Sequence, residues 1–235
     1  MSEIKTQEVH KKHSVVFLFD VDNTLLDNDR VSAHLKKHLV DSVGFARQAQ
    51  FWEIFEQIRT ELGYADYLGA LQRYRVAHPR DPHLLTVSHF MINYPFANRL
   101  FPGSLDAIDH VKQFGPAVVL SDGDVVFQPR KVDRSGIFDA VEHNVLIYVH
   151  KEHELDDVEH RFPADHYVLI DDKLRILDAV KQVWKQRVTT IFPKQGHYAN
   201  DPKALAKYPP ADISIDRIGE LVNYSLEEML AAARK

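Results

Sequence analysis

Cysteine is absent from the 235 residues, which excludes a disulfide framework and any thiolate-held metal and is compatible with a reducing compartment. An excess of positive charge is absent as well. The formal net charge is -5, so the chain as a whole carries no basic footprint for nucleic acid. No apolar run approaches the roughly eighteen residues that a membrane span needs. The opening stretch "MSEIKTQEVHKKHS" is polar and lacks the apolar segment of a secretory signal, and no internal repeat or low-complexity tract interrupts the sequence. The expectations are a cytoplasmic address, no membrane and no nucleic-acid partner. What is present is an ordinary globular balance, 45% hydrophobic and 27% charged, long enough for a large core with a smaller insert.

Short apolar runs recur at residues 15–19, 117–120, 145–149, 167–170 and 188–192. Each is too short for a typical helix and rich in β-branched or aromatic residues, so each reads as a strand buried on both faces. Segments with helical spacing lie between the later ones; in "LRILDAVKQVWKQ", Leu174, Leu177, Val180 and Trp184 line one stripe. Alternating strands and helices predict an α/β fold, a Rossmann-like parallel sheet with helices on both faces. The first interval breaks the rhythm. Nearly a hundred residues separate the first two strands, with helical patterns through Phe51, Ile54, Phe55, Ile58 and Leu62 and then Tyr67, Leu71 and Tyr74. A connection that long predicts an inserted helical unit, residues 30–95, on a core of residues 1–29 and 96–235. Prolines in "HPRDPH" and "NYPF" break its helices, and "SLDAIDHVKQFG" reads as a returning helix with Ser104 as its cap and Gly115 after its end.

The first strand ends in "FDVDNT", and this is where chemistry enters. Residues two apart on a strand point the same way, and ligands of open parallel sheets gather beyond the carboxyl ends of the strands. Asp20 and Asp22 can therefore face one crevice. A blander account makes them turn residues, with Asn23 and Thr24 binding backbone. Three later strand ends weigh against it: "VVLSDG" delivers Ser121, "VLIYV" is followed by Lys151, and "YVLIDDK" ends in Asp171 and Asp172. Like charges about 5 Å apart repel by about 3 kcal/mol at an effective dielectric near 20, so such a cluster needs a cation or must bind protons. With oxygen ligands, no thiolate and no tight histidine cluster, Mg²⁺ is the natural ion.

In that order these residues resemble the motifs of the haloacid dehalogenase superfamily, phosphatase branch. Asp20, Asp22 and Thr24 match its Asp-x-Asp-x-Thr, Ser121 its second motif, Lys151 its third, and Asp171 with Asp172 its acidic pair. The resemblance covers about residues 15–30 and 100–195. It implies a Mg²⁺-dependent phosphomonoester hydrolase acting on a small phosphorylated metabolite, with an aspartyl-phosphate intermediate. Asp20 would be the nucleophile and Asp22 the acid and base. Thr24, Ser121, the Asp122 backbone N–H and Lys151 would hold the phosphoryl group. The metal would bind Asp20, the Asp22 carbonyl and Asp172, with Asp171 helping through water. The insertion, placed after the first motif, implies a lid over the site.

Some positions depart from that pattern. A further acid four residues after the metal ligand is replaced by Ile176, and Asp122 stands where related enzymes often carry Asn; its side chain is expected to cap the next helix. Lys131 and Lys173 compete with Lys151 for the cationic role. The dehalogenase branch lacks the second Asp, so Asp22 favours phosphoryl chemistry. A sugar phosphate mutase would share all four motifs, and a catalytically silent binding protein is disfavoured by their completeness. His150, His153 and His160 read as a solvated face rather than a Zn²⁺ site. The aromatic stripe from Phe51 to Phe55 reads as insert core, and Arg47, Arg59, Arg73 and Arg75 as exposed helix residues.

Overall fold

In a computed structural model of the chain, residues 11–233 are described; the opening segment 1–10, on which most of the reading of the polar start rests, lies outside them. The chain runs β1 (His13–Phe19), α1 (Asn28–Val43), α2 (Phe45–Leu62), α3 (Tyr67–Ala77), α4 (Leu84–Ile92) and α5 (Ser104–Lys112). It continues through β2 (Ala117–Asp122), α6 (Phe127–Ser135), α7 (Ile137–Ala140), β3 (Val145–Tyr148), α8 (Leu155–Arg161), β4 (Ala164–Ile170) and α9 (Leu174–Trp184). The last elements are β5 (Val188–Pro193), α10 (Pro202–Lys207), β6 (Ile213–Ile215) and α11 (Leu226–Ala232).

The six strands form one sheet in the order β3-β2-β1-β4-β5-β6, parallel throughout. β1 lies inside the sheet, and the direction in which successive strands are added reverses across it, since β2 pairs on one side and β4 on the other. That is the topological switch point at which open α/β sheets gather ligands. Alternating side chains split the core in two. Val15, Phe17 and Phe19 of β1 join one cluster with Ala107, Ile108 and Val111 of α5. Val16 and Leu18 join the other with Leu177, Val180 and Trp184 of α9.

The predicted strands and helical stretch take these places, and α1 to α4 fall between β1 and β2. Phe51, Phe55, Ile58, Tyr67 and Tyr74 are buried and belong to the same cluster as Phe17 and Phe19, so the insertion's core continues into one face of the sheet. Asp27 starts α1 by accepting the Arg30 N–H (2.9 Å), and Asp66 does the same for α3. Gly63 ends α2 at φ 79°, where a Cβ would meet the His150 ring at 2.6 Å. The segments entering and leaving the insertion are stitched together: Asp27 N–H donates to Arg99 O (2.8 Å) and Phe101 N–H to Leu25 O (2.9 Å).

One sequence expectation about this part of the fold is corrected. Ser104 does not cap α5; it is the helix's first residue, and its hydroxyl donates to Leu25 O (2.8 Å), tying α5 to the neck of the insertion. Gly115 lies after the end of α5, as expected, and a Cβ there would meet Val15 O at 2.2 Å, so the position needs glycine for close approach to β1. The edge strand β6 was not foreseen. No helix among the described residues is long and apolar enough to cross a membrane.

Candidate active site

Four strand ends converge where the topology reverses. Asp20 follows β1, Ser121 and Asp122 end β2, Lys151 lies three residues past β3, and Asp171 and Asp172 follow β4. Lys151 is fully buried, and its ammonium joins three of these ends. It lies 2.6 Å from Asp20 Oδ1, 3.1 Å from Leu120 O and 2.6 Å from Asp171 Oδ2. Asp122 Oδ1 accepts the Lys151 backbone N–H (2.8 Å). The side chain of Asp122 therefore anchors the lysine and does not cap the next helix; Asp124 Oδ1 takes the N–H groups of Val126 (2.8 Å) and Phe127 (2.6 Å) instead.

Thr24 is wholly buried, and its hydroxyl accepts the Asp172 N–H (3.0 Å). Ser121 is equally enclosed and accepts a hydrogen bond from Gln128 Nε2 (3.0 Å). Both hydroxyls thus have protein partners, and Thr24 fixes the acidic loop to the turn after Asp22. Asn23 holds that turn with φ 62°, a left-handed conformation that asparagine tolerates, while its Oδ1 accepts the N–H groups of Asn28 (3.0 Å) and Asp29 (3.2 Å). Backbone binding by Asn23 and Thr24 accompanies the acidic cluster rather than replacing it.

Carboxylate oxygens of Asp20, Asp171 and Asp172 lie within 4.8 Å of one another, and all three residues are buried. Burial pushes Asp171 up to about 6, although Lys151 pulls it back, and burial raises Asp172 well above the usual carboxylate range. Lys151 and Lys173 are raised despite their own desolvation, because Asp20 and Asp171 surround the first and Asp20 and Asp172 the second. Asp20 Oδ2 and both oxygens of Asp172 have no hydrogen-bond partner. Buried, unpartnered carboxylate oxygens in an all-oxygen set fit a hard divalent cation such as Mg²⁺.

A crystal structure of a haloacid dehalogenase-like hydrolase from Burkholderia xenovorans LB400 is 60% identical, with TM-score 0.88, over 91% of this chain and 99% of that one. The chain belongs to the haloacid dehalogenase-like hydrolases. More distant solved structures share the fold. The HAD-hydrolase YfnB from Bacillus subtilis, bound to magnesium, is 16% identical with TM-score 0.58, over 91% of this chain and 98% of that one. The L-2-haloacid dehalogenase from Xanthobacter autotrophicus is 15% identical with TM-score 0.58, over 88% and 96%. No protein-family model matches the chain, and no curated protein matches it.

In this haloacid dehalogenase-like hydrolase a cavity of about 620 Å³ lies between the insertion and the strand ends. Asp22, Asp122, Lys131 and Lys173 line its core side, and Asn28, Asp29, Ser32, Ala33 and Lys36 of α1 line another wall. That spacing is one face of a helix. Trp52 and Phe55 of α2 also reach the cavity while Phe51 stays in the core, so the aromatic stripe is divided between packing and lining. Asp22 is 24% exposed and is held by Lys131, not Lys151. Arg59 and Arg175 line the cavity and pair with Glu56 and Glu152; Arg47 and Arg73 pair with Asp81 and Glu61. His150 and His153 lie ring to ring at 5.6 Å, and among the described residues the group placed to hold a metal is the aspartate cluster.

Sequence reading missed Asn28, Lys36, Arg175 and His197 as lining residues. Helical spacing along α1 could have nominated the first two. His197 comes from the loop after β5 and accepts its place through Asp29 (2.6 Å), a contact 168 residues apart that leaves no local signal.

Proposed function

We propose that the chain is a Mg²⁺-dependent phosphomonoester hydrolase acting on a small phosphorylated metabolite in the cytoplasm. The observation that carries this reading is Asp22: a second, partly exposed acid lines the cavity beside the buried Asp20, where the dehalogenase branch has none. Residues 30–95 would form a lid on a catalytic core of residues 1–29 and 96–235. Asp20 is 2% exposed, and phosphorus would reach it only once it is uncovered.

Asp20 attacks phosphorus with one carboxylate oxygen, and the bond to the leaving group breaks with its electron pair going to the leaving oxygen. Lys151 holds Oδ1 of Asp20 (2.6 Å) and leaves Oδ2 free. Asp22 delivers a proton to the leaving oxygen, then takes one from water as the water oxygen attacks the aspartyl phosphate. Phosphate departs, Asp20 is restored and Asp22 is protonated again. Ser121, Thr24 and the backbone around Asp122 would contribute to the phosphoryl pocket once it opens, with Lys151 offsetting charge from beneath. Asp20, Asp172 and the Asp22 carbonyl would hold Mg²⁺, with Asp171 acting through water; the ion supplies positive charge to the transferred group. Closure of the insertion would exclude bulk water.

The test is release of inorganic phosphate from a panel of phosphorylated sugars, nucleotides and glycolate, with and without Mg²⁺, alongside halide release from 2-chloropropionate. The expected result is Mg²⁺-dependent phosphate release and no halide. Isomerisation of a sugar phosphate without net release would instead identify a mutase, halide release a dehalogenase, and inertness to everything a binding protein.

A further inference from the structure

Lys131 is a buried cation that this chemistry leaves unused. It sits on α6 with its side chain 1% exposed, and its ammonium donates to Asp22 Oδ1 (2.6 Å), Asp22 Oδ2 (2.8 Å) and Asn28 Oδ1 (3.1 Å). The Phe127 ring lies 5.3 Å below it. An ammonium has three donors, and here each has an acceptor. A lysine buried merely to cover apolar surface would send its charged end to water; this one is turned inward onto a carboxylate that is itself partly exposed.

The partners of Lys131 belong to different parts of the molecule. Asp22 is on the core turn after β1, whereas Asn28 is the first residue of α1. The preceding residue on α6, Arg130, donates to Ile92 O (3.2 Å) at the end of α4. One short helix therefore touches the insertion at both its beginning and its end, and its lysine bridges the beginning to Asp22. When α1 tilts away, Lys131 keeps its two bonds to Asp22 but loses the third acceptor that pins the ammonium in place, so the pair is held less firmly.

We propose that Lys131 is a positioning residue that couples seating of the insertion to the aim of the Asp22 carboxylate. This rests on the reading of Asp22 as the acid and base of phosphate transfer. In the first step the P–O bond to the leaving group breaks, the electron pair remains on the leaving oxygen, and the proton comes from one oxygen of a protonated Asp22 while its other oxygen stays on Lys131; the carboxylate so formed accepts from Lys131 through both oxygens, and Lys131 keeps its protons. Two hydrogen bonds to the two carboxylate oxygens fix the rotation of that group about its own stem. Released from them, Asp22 turns freely in a cavity wide enough for several rotamers, and fewer encounters present a proton along the breaking bond. The penalty is small for a leaving group stable as an anion and large for an alkoxide, which needs the proton as it departs.

The experiment compares p-nitrophenyl phosphate with glycerol phosphate, both with Mg²⁺, in the full-length wild type, Lys131→Met and Asn28→Ala, after circular dichroism has shown that each is folded. In Lys131→Met, kcat on glycerol phosphate is expected to fall by roughly 100-fold or more, the range of a general acid, while kcat on p-nitrophenyl phosphate falls several-fold and KM for both changes little. Asn28→Ala keeps the ammonium on Asp22 but cuts the link to α1, and is expected to show a smaller loss of the same selectivity. Lys131→Arg, which restores two donors, should recover part of it. Equal losses on the two substrates, or no loss on either, in a wild type that is active overturn the coupling while leaving the hydrolase reading intact. A panel substrate with an alkoxide leaving group takes the place of glycerol phosphate where the wild type prefers it; a wild type that releases phosphate from neither probe nor any member of the panel overturns that reading and the coupling with it.

Discussion

Asp20 presents two unlike oxygens: Oδ1 faces the Lys151 ammonium, and Oδ2 has no partner. Its charge adds to those of Asp171 and Asp172 in one buried space, where each like pair at about 5 Å repels by about 3 kcal/mol at an effective dielectric near 20. Exchanging it for an amide keeps the acceptor for Lys151 and removes one of those charges. Asp20→Asn is therefore expected to lose turnover by at least about 10³-fold as the proposed nucleophile disappears, yet to melt at or above the wild-type temperature when Mg²⁺ is absent. Added Mg²⁺ should raise the wild-type melting temperature more than the variant's, because an ion that binds the folded form stabilises it in proportion to its affinity. Ordinary turnover in the variant, or equal Mg²⁺ shifts in both proteins, contradicts the assignment. The acids of this cluster were legible because each ends an apolar strand run. The division of labour between Asp122 and Asp124 was not: both lie before α6, and which of two acids spaced by one glycine reaches the free N–H groups depends on the strand end that Lys151 occupies.

At the scale of elements, Asp81 joins three helices through one carboxylate. It accepts from Arg47 of α2 (2.7 Å), from the Tyr74 hydroxyl of α3 (2.9 Å) and from the His83 N–H (2.9 Å) just before α4. Burial alone would raise its pKa, but these donors and the nearby positive charge outweigh it and hold Asp81 down to about 2. A depressed carboxylate stabilises the fold above its ordinary range near 4, and the contribution disappears as pH falls toward 2. Asp81→Asn should lower unfolding free energy by about 1–2 kcal/mol at neutral pH, allowing for the half-exposed Arg47 and His83, with the gap to wild type closing between about pH 4 and 2. Urea denaturation of both proteins across that interval measures it, and a gap independent of pH refutes the sign. The helices around Asp81 were readable from apolar spacing and from the prolines between them, whereas β6 was not. Three residues, of which Ile215 is the buried one, carry too little alternation to stand out from a loop. Ser104 misled for a related reason: serine before a helix is usually a cap, and nothing local records that Leu25 O lies beside it, 79 residues away.

Over the whole molecule, the sheet's parallel order followed from alternating apolar runs and helical stripes, while the way the insertion sits against it depends on long-range contacts such as Tyr67 with Phe127 (ring centroids 5.5 Å). The neck between the two parts is built as a ladder: Leu26 and Leu100 form an antiparallel bridge, flanked by the Asp27–Arg99 and Leu25–Phe101 hydrogen bonds. Hydrogen exchange should accordingly find the amides of Asp27 and Phe101 protected like those of β1, and slower than the exposed turns between α3 and α4; rapid exchange at both would mean the ladder opens on its own. Such a joint behaves as a strap with two parallel cords. Neither cord can slide without the other, so on the lid reading proposed above the roof would rock about one axis rather than wander, returning Asn28 to the same seat each time.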